Sequence, residues 1–130
     1  VPKPYHSVQW LENRGDFPYI HHHLCEMPGV LNATAGDFDG DGDMDVVAVA
    51  LLAGDYYRQM AQRDTSSVVL LEQTSPGSFK RTQVEGRAHH HISVEAGDFN
   101  NDGKLDFAVG TFLREGGVDR PDLILWWNES

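Results

Sequence analysis

Asp37-Phe38-Asp39-Gly40-Asp41-Gly42-Asp43-Met44-Asp45 places an acid at every second position. Carboxylates a few ångströms apart repel by about 1 kcal/mol or more where solvent is partly excluded. Such a run needs a cation to hold it, and its spacing selects calcium. Side chains at loop positions 1, 3 and 5 (Asp37, Asp39, Asp41) can wrap one ion, and Gly42 at position 6 permits the sharp turn. The carbonyl of Asp43 adds a ligand and Asp45 closes the shell. All of these are hard oxygens, the donors that Ca²⁺ takes in a flexible shell.

The pattern returns as Asp98-Phe99-Asn100-Asn101-Asp102-Gly103-Lys104-Leu105-Asp106. Here Asn100 is a neutral oxygen donor, and Lys104 stands where only a backbone carbonyl is needed. A solvated acidic run would not keep its glycine and acid positions twice. An EF-hand loop requires a bidentate Glu at position 12 and flanking helices. That position holds Ala48 in one copy and Val109 in the other, and the flanks read as strands. A dockerin-type loop, which also wants an acid there, is disfavoured on the same ground.

The repeat extends beyond the loops, with a period of about 60 residues. Asn32–Gly36 and Ser93–Gly97 precede them, and the apolar runs Asp45–Ala50 and Asp106–Gly110 follow. Val68–Gln73 resembles Val8–Asn13 upstream and Leu123–Asn128 downstream, and Gly77–Gln83 parallels Gly15–His21. Short β-rich runs with turn punctuation read as hairpin-connected strands. Labelled A to D, they run C, D, then A, B, C, D, then A, B, C. Four antiparallel strands per repeat form a propeller blade, so the fold class is all-β, a partial propeller of about two and a quarter blades. Residues 1–29 supply strands C and D of one blade, 30–87 a full blade, and 88–130 a blade without its last strand. Strand A is small (Ala33, Ala35, Gly36, Ala96, Gly97), as a crowded axis requires, and strand B is apolar on both faces. Phe38 and Phe99 are expected to point away from the ion and pack between sheets. The long B-to-C connections, Gly54–Ser67 (with room for a short helix) and Arg114–Pro121, are where a rigid scaffold usually carries binding groups.

The formal charge is −10, and eight of the 20 acids lie in the two loops. Two calcium ions would offset four of those charges. The remaining acidity argues against nucleic acid or an anionic membrane as partner. No apolar run is long enough for a membrane span. The amino end, Val1-Pro2-Lys3-Pro4, shows no apolar signal region, which suits a mature product or a fragment. Cys25 is the only cysteine and reads as a small buried hydrophobe. Loops of this kind suit millimolar calcium, which points to an extracellular, periplasmic or cell-envelope setting.

The run from Gly36 to Val47 and its second copy resemble FG-GAP repeats, also called VCBS repeats, which build integrin α-chain propellers and occur in many secreted bacterial proteins. The strand C signatures at Trp10–Asn13, Leu70–Gln73 and Trp126–Asn128, with the turn at 72–77, resemble the bacterial branch. The resemblance implies a Ca²⁺-stabilised propeller with two cation sites here. Its ligands would be Asp37, Asp39, Asp41, Asp43 (carbonyl) and Asp45, then Asp98, Asn100, Asp102, Lys104 (carbonyl) and Asp106. It also implies partners: propellers need at least about four blades to close, so other blades or chains complete the ring. The function that follows is a structural and recognition scaffold in a secreted or envelope protein, not an enzyme, with a protein or glycan as ligand.

Two alternatives stay open. His21–His23 and His89–His91 form triplets, but neighbouring histidines on a strand alternate faces, so at most two of three can share an ion. His89, His90 and His91, leading into strand A, are the better secondary metal or ligand site, which would suit a substrate- or metal-binding subunit of a secreted enzyme or redox complex. The other alternative is a carbohydrate-binding module using Trp10, Trp126 and Trp127. No Ser-His-Asp spacing, nucleophile elbow or phosphate-cradling glycine loop is present.

Overall fold

A computed structural model describes residues 6–52, 66–86, 90–112 and 122–130. Nine strands, and no helix, are found among the described residues: β1 (Ser7–Glu12), β2 (Ile20–Glu26), β3 (Val30–Gly36), β4 (Asp45–Ala50), β5 (Ser66–Ser75), β6 (Ser78–Gly86), β7 (His91–Gly97), β8 (Asp106–Thr111) and β9 (Leu123–Trp126). They form three sheets, β1-β2, β3-β4-β5-β6 and β7-β8-β9. Each strand pairs antiparallel with its neighbour in sequence. The order is the C, D, A, B, C, D, A, B, C expected from the repeat, and an all-β, propeller-type fold is observed.

Alternation along the central strands explains the stacking. Successive side chains on a strand point to opposite faces. On β4, Val46, Ala48 and Ala50 face one way and join Val69 and Leu71 of β5 in a core with Val8, Cys25 and Met27. Val47, Val49 and Val68 face the other way, into a second core with Val94, Phe107 and Val109. The middle sheet is thus apolar on both faces because a sheet covers each of them. Gly36 permits a close approach between the middle sheet and the second loop: a Cβ there would lie 2.6 Å from Leu105 Cδ1.

Two sequence expectations need correction. The strand expected at Gly15–His21 begins only at Ile20; residues 13–19 form an irregular connection, with Glu12 paired to Ile20. In the middle sheet the corresponding turn is tight, with Ser75 opposite Ser78. Pro18 cannot donate a ladder hydrogen bond, so the Gly15/Gly77 correspondence breaks down there. The second correction concerns the paired phenylalanines. Phe38 is buried against Phe107, edge to face at 6.0 Å, but Phe99 is 46% exposed. Phe38 has the β7–β9 sheet to pack on, whereas no described sheet covers the corresponding face of that sheet. The two long B-to-C connections and His89 fall wholly or largely outside the described residues.

Candidate metal centre

The first acidic loop joins β3 to β4, and its carboxylates organise its own backbone. Asp37 accepts from the amides of Gly40 (2.7 Å) and Gly42 (3.0 Å). Asp39 accepts from Asp41 (3.1 Å), and Asp41 from Asp43 (2.9 Å). Asp and Asn favour such local turns because their short side chains reach amides a few residues on. Gly42 sits at φ 96°, where a side chain would strain the backbone.

The second loop, between β7 and β8, repeats this. Asp98 accepts from Asp102 (3.1 Å) and Gly103 (2.9 Å), Asn100 from Asp102 (3.1 Å), and Asp102 from Lys104 (3.0 Å). The Nδ2 of its side-chain amide also lets Asn100 donate to Asp102 Oδ2 at 3.1 Å, relieving repulsion the first loop must bear.

In the first loop Asp37, Asp39 and Asp45 each present an oxygen within 4.8 Å of the others. It is the one such group of three acidic, His or Cys side chains among the described residues. The Asp41 amide hydrogen bond pulls the Asp39 pKa down, but desolvation and the negative charges of Asp45 and Asp41 outweigh it, and the net direction is upward. Like charges crowded this way favour either a proton or a cation. The donor set, three carboxylates on a glycine-turned loop, fits a hard divalent cation. Asp41 stands outside the tight group, on the exposed side of the loop.

Asp45 and Asp106 have a role that spacing did not reveal. Both are fully buried. Asp45 Oδ2 accepts from the Phe38 amide (2.9 Å) and Oδ1 from the Gln73 amide at the end of β5 (2.8 Å). Asp106 does the same with Phe99 (3.0 Å) and Asn128 (2.8 Å). Each carboxylate ties the loop to the third strand of its sheet. Carboxylate oxygens carry two lone pairs, so these bonds leave capacity for an ion. The amide side chain recurring at the end of strand C, as Asn13, Gln73 and Asn128, marks the position but not the clamp, because the bonds to Asp45 and Asp106 come from backbone amides.

The described histidines form no shared cluster. His21 and His23 are exposed on β2, while His22 stacks on Trp10 at 4.4 Å and lies 2.8 Å from Glu12. Hydrogen bonds from Arg14 and then His22 lower the Glu12 pKa to about 2. His91 is buried, with Nε2 2.6 Å from Glu85 Oε1 and Nδ1 3.4 Å from Thr111 Oγ1. Glu85 Oε1 also accepts the Ser67 hydroxyl at 2.8 Å. His90 forms a backbone bridge with Leu51. Trp126 stacks on Phe107 at 5.9 Å in the second core, whereas Trp127 is exposed.

Residues 3–48 match the family model of an FG-GAP-like repeat. The matched span runs through β1, β2, β3, the first loop and the opening of β4, so the chain carries such a repeat. No curated protein matches the chain, and no solved structure does.

Proposed function

We propose that this propeller-type repeat segment binds calcium and serves as a structural and recognition scaffold in a secreted or envelope protein. The observation that carries the reading is the gathering of Asp37, Asp39 and Asp45 on a loop inside the FG-GAP-like repeat. Asp41 and the Asp43 carbonyl would complete that shell. Asp98, Asn100, Asp102, Asp106 and the Lys104 carbonyl would form the second. The ion offsets the crowded charge, and the loop then pins the turn between the first two strands of each sheet. Binding free energy becomes folding free energy, because the unfolded chain holds no preformed site. Exposed loops of modest affinity suit millimolar calcium outside the cytosol.

The role is non-catalytic. The clustered carboxylates are those that hold the cation, and the Glu85–His91 pair is engaged with Ser67 and Thr111.

Thermal unfolding with millimolar calcium and with EDTA tests the reading. A ligand at about 100-fold over its Kd adds roughly 2.7 kcal/mol, which for a domain of this size raises Tm by about 10 °C. Identical melting in the two conditions would overturn the calcium assignment. Stoichiometric zinc, copper or iron in the purified protein would point instead to the histidines around His91.

A further inference from the structure

The two acidic loops meet at one side chain. Asn128 follows β9, and its backbone amide donates to Asp106 Oδ1 in the second loop (2.8 Å). Its side-chain nitrogen donates to the Phe38 carbonyl in the first loop (2.5 Å) and to the Leu105 carbonyl in the second (3.1 Å). Its side-chain oxygen accepts from Ser130, through the backbone amide (3.1 Å) and the hydroxyl (2.5 Å). Two carbonyls on one side and donors on the other fix which end of the amide is which.

Phe38 lies between Asp37 and Asp39, so its carbonyl belongs to the segment that would carry two ligands of the first ion. Leu105, next to Asp106, packs against Gly36 just ahead of that segment. The corresponding residue of the middle sheet, Gln73, makes only the half of this pattern that stays within its own sheet. Its amide reaches Asp45, and its side-chain nitrogen reaches the Met44 carbonyl at 3.3 Å.

We propose that Asn128 couples the two cation sites, so that an ion in either loop raises the affinity of the other. The inference rests on the calcium reading above. An ion that orders one loop fixes one end of the Asn128 bridge and lowers the entropy cost of ordering the loop at its other end. Coupling of this kind is reciprocal by linkage. Direct repulsion between two divalent ions acts in the opposite sense, so the sign of the coupling separates bridge from bare electrostatics.

Calorimetric calcium titration of the intact chain, with Asp102→Ala to disable the second loop, reads the effect. In the wild-type background, Asp102→Ala should weaken the first site by at least about 5-fold. In an Asn128→Ala background the same substitution should leave the first site unchanged, with both sites still filling when Asp102 is present. Asn128→Leu, with the same side-chain branching and heavy-atom count but unable to donate, serves if the alanine variant does not fold. Two independent sites in the wild-type chain, or coupling that survives loss of the Asn128 amide, would overturn the bridge while leaving the calcium assignment standing. A flat titration would remove the calcium assignment and the bridge with it.

Discussion

Asp45 and Asp41 are both acids of one loop, yet burial separates their consequences. Asp45 is fully buried and accepts two backbone amides, from Phe38 and Gln73. Asp45→Ala strands both donors, at about 1–3 kcal/mol each, so urea unfolding should show a loss of about 2–6 kcal/mol that persists in EDTA. Asp41 is exposed and accepts one local amide. Asp41→Ala should therefore cost stability in calcium and little in EDTA. Lys104→Ala should cost little in either, since the calcium reading uses only its carbonyl; equal effects of Asp41→Ala and Lys104→Ala would mean the loop register is wrong. The carboxylate crowding of the first loop was legible because acids at alternate positions have a chemical cost that demands an explanation. The clamp made by Asp45 and Asp106 was not, because a ligand role alone already accounts for an acid there.

At the level of elements, strand order was legible wherever short apolar runs met glycine-bearing turns. It failed at Gly15–Tyr19, where a longer connection replaces the tight turn of β5–β6 and moves the start of β2 to Ile20. The middle sheet should be the most costly to damage. Leu71 on β5 is 1% exposed within the first core, and Leu71→Ala should cost about 2–5 kcal/mol by urea unfolding. The β1–β2 hairpin has fewer packed neighbours and a surface ion cluster. The Arg14 and His22 hydrogen bonds lower the Glu12 pKa from 4.5 to about 2. A depressed carboxylate pKa contributes stability that is complete above about pH 4.5 and is lost as pH falls towards 2. Protection factors of the β1 and β2 amides, exchange rates corrected for intrinsic chemistry at each pH, should fall across that window. Glu12→Gln should abolish the pH dependence, and added salt should shrink it, because the cluster is solvent-facing. Protection factors that stay constant with pH in wild-type protein would show that the cluster does not hold the hairpin.

Across the whole molecule the two cores show what a repeat of this kind requires of its neighbours. Phe38, Val68 and Leu70 on the middle sheet lie against the β7–β9 sheet. The repeat places Phe99, Leu123 and Leu125 at the corresponding positions of the β7–β9 sheet, with Trp127 two residues on along the same face. All four are exposed, Leu123 at 60% and Trp127 at 49%. Repeat units bury their faces only by stacking, so we propose that a sheet of the same type, from another blade or chain, covers this face. The net charge of −10 opposes association of identical chains. Two bound calcium ions would offset four of those charges, and salt would screen the rest. Sedimentation of the isolated 130-residue chain should therefore show species above 14.5 kDa, favoured by calcium and by ionic strength. Leu125→Glu, placing a charge in the middle of the exposed face, should return the chain towards monomer without changing its calcium stoichiometry. A wild-type chain that stays monomeric at every concentration and binds no apolar dye would mean that this face needs no partner.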